Sequence, residues 1–215
     1  MRKIIALAAA ATLGVNTPAL AESFSGPYVG AELSRDSYQI NGDNLDLGIA
    51  TASASGLGAD GIAGGVFAGY DLRLGGGFVG VEANFDYSGA KLGVSGSDGV
   101  NTAEASVKAR ESYGVSGRAG LLVNDNTGLY AKLGWRATRF KSEAIENGTS
   151  LFADTRTKSA FVYGAGLETS VSEKVSVRVE YTVADYRSAG LNADFGVTGI
   201  SVKNGKVAFG VTGRF

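Results

Sequence analysis

Beyond about the first twenty positions, apolar and polar residues alternate with a period of two, and no stretch keeps the 3.6-residue period of an amphipathic helix. Residues 206–215 show the pattern most cleanly. Val207, Phe209, Val211 and Phe215 share one face of an extended strand, while Ala208, Gly210, Thr212 and Arg214 share the other. The same alternation places Val79, Val81, Ala83, Phe85 and Tyr87 opposite Gly80, Glu82, Asn84 and Asp86. It places Leu129, Ala131, Leu133, Trp135 and Ala137 opposite Tyr130, Lys132, Gly134, Arg136 and Thr138. Val175, Val177, Val179, Tyr181 and Val183 oppose Ser176, Arg178, Glu180 and Thr182, and Val29, Ala31 and Leu33 oppose Gly30, Glu32 and Ser34. One strand is untidy, because Phe67 sits on a face otherwise made of small residues.

Eight strands are expected, over 27–39, 60–72, 78–91, 107–122, 129–141, 158–169, 175–186 and 202–215. Short turns fall at 73–77, 123–128 and 170–174, and long loops are expected at 40–59, 92–106, 142–157 and 187–201. Short turns on one rim and long loops on the other is the layout of a bacterial outer-membrane barrel. The fold class is therefore all-β, an eight-stranded antiparallel transmembrane β-barrel.

Alternation alone leaves open which face points inward, since a soluble periplasmic ligand-binding barrel turns its apolar face in. The glycines decide between the two. Gly30, Gly80, Gly114, Gly134, Gly164, Gly166 and Gly210 lie on the charged face. On a solvated surface they weaken strands without return. Inside a narrow eight-stranded lumen they leave room for Arg and Glu side chains. Tyr28, Tyr70, Phe78, Phe85, Tyr87, Tyr113, Trp135, Phe161, Tyr186 and Phe215 lie mostly near strand ends, where interfacial girdles are expected.

Residues 1–21 read as a secretory signal peptide. Arg2 and Lys3 precede a short apolar core, and Ala19-Leu20-Ala21 is an A-x-A cleavage site. Residues 22–215 then form one barrel domain with a net charge of −3, which offers nothing to a nucleic acid. Glycine is abundant at 33 of 215 residues, with two prolines and no helix long enough to span a membrane, so a membrane form must be a barrel.

The resemblance is to the small outer-membrane β-barrel family, which includes the OmpA transmembrane domain, OmpX and the opacity proteins. It is carried by Gly26-Pro-Tyr-Val-Gly-Ala, Val66-Phe-Ala-Gly-Tyr-Asp, Phe78-Val-Gly-Val-Glu-Ala, Val177-Arg-Val-Glu-Tyr and the C-terminal Val207-Ala-Phe-Gly-Val-Thr-Gly-Arg-Phe. The nearest likeness is to porin-like surface antigens of Gram-negative bacteria. It implies residence in the outer-membrane bilayer and insertion by the barrel-assembly machinery, read through Phe209, Val211 and Phe215. No peptidoglycan-binding domain follows the barrel, so a wall-anchoring role is not expected.

The chain contains no histidine and no cysteine, and a conventional activated-nucleophile site cannot be assembled without them. No catalytic, cofactor or metal site is expected. Glu32, Glu82, Arg118, Lys132, Arg136, Glu168, Arg178, Glu180 and Arg214 project to the polar face as a lumen charge network. Mixed signs favour a salt-bridged plug over a conducting pore, because buried charges need partners and small lumens are filled. Residues 56–61 match G-x-G-x-x-G as a string, but they run from a loop into a strand, the wrong context for a dinucleotide. Asn147-Gly-Thr149 is a sequon in form and inert in a bacterial loop, and Asn204-Gly205 is expected to mark a loop tip. Asp43 and Asp46 lack the rest of a calcium ligand set. The expected role is structural or surface-interactive, through loops whose partner their bland chemistry does not name. The alternatives are a narrow channel for small solutes and the soluble ligand-binding barrel.

Overall fold

A computed structural model describes residues 24–46, 51–97, 102–186 and 200–215. The expected leader at 1–21 lies outside these residues. Strands run over β1 Gly26–Asp46, β2 Thr51–Leu74, β3 Gly77–Ser88, β4 Lys91–Ser97, β5 Thr102–Asn124, β6 Thr127–Glu146, β7 Thr149–Ser170, β8 Val175–Asp185 and β9 Ile200–Arg214. All pairings are antiparallel. They close a ring in the order β1, β2, β3, β5, β6, β7, β8, β9, with β9 returning to β1. β4 continues the path of β3 after a break at Gly89-Ala90 and pairs with β5, so the nine described segments fill eight wall positions.

The apolar face points out. Val29, Leu33, Val81, Phe85, Val115, Leu133, Val177 and Phe209 are exposed, while Glu82, Arg118, Lys132, Glu168, Arg178 and Arg214 are buried. Such an apolar exterior suits lipid, and it rules out the soluble-barrel reading, which needs the opposite facing. Phe67 remains inward on β2, and Tyr28, Phe78 and Tyr186 are also buried inside and do not join an interfacial girdle. Each has the strand parity of a lumen residue, which outranks its position near a strand end.

The short turns fall where the alternation stops. Gly75-Gly76, Asp125-Asn126 and residues 171–174 close one rim. The far rim differs from expectation. β1 extends to Asp46 and β2 starts at Thr51, so both Asp43 and the fingerprint-like residues 56–61 lie in strands. β6 and β7 meet at Asn147-Gly148, whose φ values of 48° and 76° are those of a tight hairpin turn, in place of a loop over 142–157. Asn204-Gly205 is no loop tip, because it lies within β9 with Asn204 fully buried. Most of the expected loop at 187–201 falls outside the described residues.

The physical reason is a change of phase. Above the lipid-facing band the outward residues turn polar, beginning within the expected strands at Arg35, Ser37 and Gln39 of β1 and at Arg139 and Lys141 of β6, and continuing into the expected loop at Glu143 of β6 and Thr155 of β7. The inward residues turn apolar, and Tyr38, Ala59, Ala90, Ala109, Ala160, Val162, Ala184 and Tyr186 form a core with Phe140 and Val202 against it. Where water replaces lipid outside, the strands adopt the facing of a soluble barrel.

Candidate functional site

The lumen is filled by three tiers of side chains stacked along the barrel axis. Nearest the short-turn rim, Arg118 and Arg214 each bridge Asp71 and Glu168. Arg118 donates from Nε to Asp71 at 2.8 Å, from Nη2 to the same carboxylate, and from Nη1 to Glu168 at 2.9 Å. Arg214 donates to Asp71 at 2.8 Å and to Glu168 at 2.6 Å. Two guanidinium groups and two carboxylates thus form a closed, neutral ring of charge-assisted bonds. Aromatic faces cover it, with the Arg118 guanidinium 4.7 Å from the Tyr28 ring and 5.0 Å from Tyr130, and Arg214 5.2 Å from Phe24.

The middle tier is a chain of bridges across the lumen. Lys132 donates to Glu82 at 2.7 Å and to Glu180 at 3.0 Å. Arg178 donates to Glu82 at 2.6 Å and to Glu32 at 2.9 Å, and its guanidinium lies 3.4 Å above the Phe67 ring. That contact explains why one strand carries an aromatic on its inward face. Lys206 bridges Glu32 and Asp86, the latter at 2.7 Å. The Tyr28 hydroxyl donates to Glu82 at 3.0 Å, and the Tyr130 hydroxyl donates to Glu180 at 2.9 Å.

Arg136 occupies a third level. Among the described residues it makes no ion pair, and Nη1 donates to Asn204 at 3.4 Å. Asp36 beside this level accepts from Ser88 at 2.8 Å. Asp36 Oδ1, Arg136 Nε and Asn204 Nδ2 have no hydrogen-bond partner among the described residues. Tyr38, Phe140 and Tyr186 close the lumen above, with ring centroids 6.0 and 5.6 Å apart in edge-to-face pairs.

Of the nine charged residues singled out in sequence, eight meet in the two lower tiers and Arg136 stands above them. Asp36, Asp71 and Lys206 belong with them and are not among those nine. Their parity was the available signal. Asp36 follows Glu32 by four, Asp71 follows Phe67 by four, and Lys206 precedes Ala208 by two. Phe209 and Val211 lie on the outward face of β9 and Phe215 directly follows the strand, all exposed.

Inward glycines make room for this packing. A Cβ built on Gly69 falls 2.3 Å from the Tyr28 hydroxyl and 2.5 Å from the Val81 carbonyl oxygen. Gly69→Val is therefore expected to expel the Tyr28 ring from Glu82 and lower stability by about 1–3 kcal/mol. A urea midpoint unchanged from wild type, measured by the gel shift of the folded barrel, goes against that packing.

Comparisons with known proteins agree with this architecture. A family model described as outer membrane protein beta-barrel domain matches residues 5–215. The chain is 26% identical over 160 residues to the 22 kDa outer membrane protein of Rhizobium leguminosarum bv. viciae, covering 72% of this chain and 67% of that protein. It is 26% identical over 192 residues to outer membrane protein A of Shigella flexneri, covering 87% of this chain and 48% of that protein. The chain thus spans about half the length of the second relative. Among solved structures, OprG of Pseudomonas aeruginosa aligns with a TM-score of 0.51 at 12% identity, covering 92% of this chain and 99% of that one, a likeness of fold alone.

Proposed function

We propose, from the premise that this chain belongs to the outer membrane protein β-barrel domain family and resides in the bacterial outer membrane, that it is a non-enzymatic structural barrel with a sealed lumen. One observation carries the reading. Every one of the eight wall positions contributes a charged side chain to the two lower tiers: Glu32, Asp71, Glu82, Arg118, Lys132, Glu168, Arg178 and Lys206 come from successive strands of the ring. A network tied to the whole circumference holds the barrel round and fills the lumen with paired charges, which supports a lumen closed to ions. With the lumen closed, interaction with the surroundings falls to the outer wall and the far rim. The lack of histidine and cysteine supports the absence of catalysis. Phe209, Val211 and Phe215 are the residues through which the barrel-assembly machinery would recognise β9.

A narrow channel is the second reading, favoured by the unpartnered polar atoms of Asp36, Arg136 and Asn204, which offer a place for water inside. Conductance of the folded protein in a planar lipid bilayer separates the two. The sealed barrel is electrically silent. Reproducible discrete steps that change when Arg136 is neutralised overturn the sealed reading in favour of the channel.

A further inference from the structure

Above the lipid-facing band, one side of the barrel carries a ladder of bases. The last outward aromatics on β5 and β6 are Tyr113 and Trp135, packed edge to face with centroids 6.0 Å apart. Just above them β5 bulges between Ala109 and Ser112, setting two residues, Arg110 and Glu111, opposite Arg139 of β6. The bulge aims Arg110 at Tyr87 of β3, where its guanidinium lies 5.8 Å from the ring and Nη2 donates to the hydroxyl at 3.2 Å. One step higher, Lys91, Lys108 and Lys141 stand directly opposite one another in register across β4, β5 and β6.

Like charges directly opposite on adjacent strands destabilise a sheet, and here two such pairs share one row. The local carboxylates do not balance them. Glu143 accepts from Lys108 at 3.1 Å and from Lys141 at 2.5 Å. Hydrogen bonds from Lys141 and then Lys108 hold its carboxyl down to about 2, so it is fully ionised at neutral pH. Glu111 approaches Arg110 and Arg139 only at 3.9 Å. Five bases thus face two carboxylates. On the opposite wall, by contrast, Arg35 of β1 has Asp60 of β2 as its own carboxylate partner at 3.8 Å.

Height identifies the complementary anion. Lys141 lies six residues beyond Trp135, or about 15 Å along the axis at about 3.3 Å per residue and a tilt of about 40°. A phospholipid headgroup layer adds only about 5–7 Å to each side of the hydrocarbon. Phosphates reaching the lysine row must therefore be borne on a thicker headgroup. We propose that the β4–β6 wall docks the phosphorylated saccharide headgroup of an outer-leaflet glycolipid. Its acyl chains lie against the aromatic band, and its phosphates accept charge-assisted bonds from Arg110, Arg139 and the lysine row.

Trp135 is the single tryptophan of the chain and sits immediately beneath the ladder, so its fluorescence reports this wall alone. The folded barrel in zwitterionic detergent is titrated with bisphosphorylated lipid A, with its dephosphorylated form and with phosphatidylglycerol. A saturable change with the first, absent or far weaker with the other two, is the expected result. Each base near an anionic surface is worth about fivefold, so the triple variant K91Q/K108Q/K141Q shifts the midpoint by about 100-fold. Glu143→Gln removes the competing carboxylate and tightens binding by about fivefold. A gel shift on boiling checks that both variants are folded. Equal responses to the phosphorylated and dephosphorylated lipids, or to phosphatidylglycerol, overturn the proposal. So does the lack of any saturable change in the wild type, or its displacement by millimolar inorganic phosphate, which would mark an adventitious anion patch. None of these outcomes depends on whether the lumen conducts.

Discussion

Replacing Arg178 by methionine is expected to destabilise the barrel by about 3–5 kcal/mol and to open the lumen to ions. Arg178 reaches from β8 to Glu82 on β3 and Glu32 on β1, with its side chain about fully buried and its guanidinium flat on Phe67. Without it, Glu32, Glu82, Asp86 and Glu180 share only Lys132 and Lys206, and the middle tier is left with two uncompensated negative charges. Water must enter to solvate them, and the space vacated by the guanidinium admits it. The urea midpoint of the gel-shifted barrel reads the first effect, and bilayer conductance reads the second. The double variant Glu82→Gln with Arg178→Met restores the original balance, three acids to two bases against four to three. It is expected to recover more than half of the lost stability, because replacing both members of a buried pair is far milder than removing one. If Arg178→Met behaves as wild type in both assays, the ion-paired tiers are not what seals the barrel.

Phe215→Ala is expected to leave little folded barrel in the outer membrane of cells while barely changing refolding in vitro. The ring is exposed on the lipid-facing surface at the short-turn rim, and the backbone N–H of the same residue donates to Pro27 at 3.2 Å, where β9 closes on β1. Removing the ring sacrifices at most about 1.5–3 kcal/mol of burial in lipid, and the backbone closure survives. A purely energetic role therefore predicts a small, equal loss in cells and in vesicles. A recognition role for the face formed by Phe209, Val211 and Phe215 predicts a loss confined to cells. Quantifying heat-modifiable protein in outer-membrane fractions and in refolding reactions separates them, and equal levels of variant and wild type in cells sink the recognition role.

The lower half of the barrel was readable because parity survives every ambiguity about strand ends. Gly80, Glu82 and Asp86 had to share a face whatever the boundaries of β3, and the crowding of glycines onto that face identified it as the inside of a narrow barrel. Tyr28, Phe78 and Tyr186 lie near strand ends, which suggests a girdle, but their parity puts them inside the lumen. The upper half was misread for a different reason. At Glu104 and Ser106 of β5, Glu143 of β6 and Thr155 of β7 the outward positions are polar, and a search for apolar-out strands takes those stretches as loops. Asn147-Gly148 carried a hairpin signal that was read as an inert sequon, whereas Asn204-Gly205 carried the same dipeptide inside a strand. A dipeptide specifies a turn only where the pairing on both sides permits one.

The sequence by itself therefore determined the period, the faces, the closure into eight wall positions and the residue types available to fill the lumen, because alternation and side-chain volume are local properties of the chain. Partners were beyond it. That Arg178 meets both Glu82 and Glu32, that Arg118 and Arg214 share the same two carboxylates, and that three lysines align across β4, β5 and β6 depend on strand register and shear. Register is set by every strand at once when the ring closes, so only the tertiary structure decides which charges lie within reach of one another.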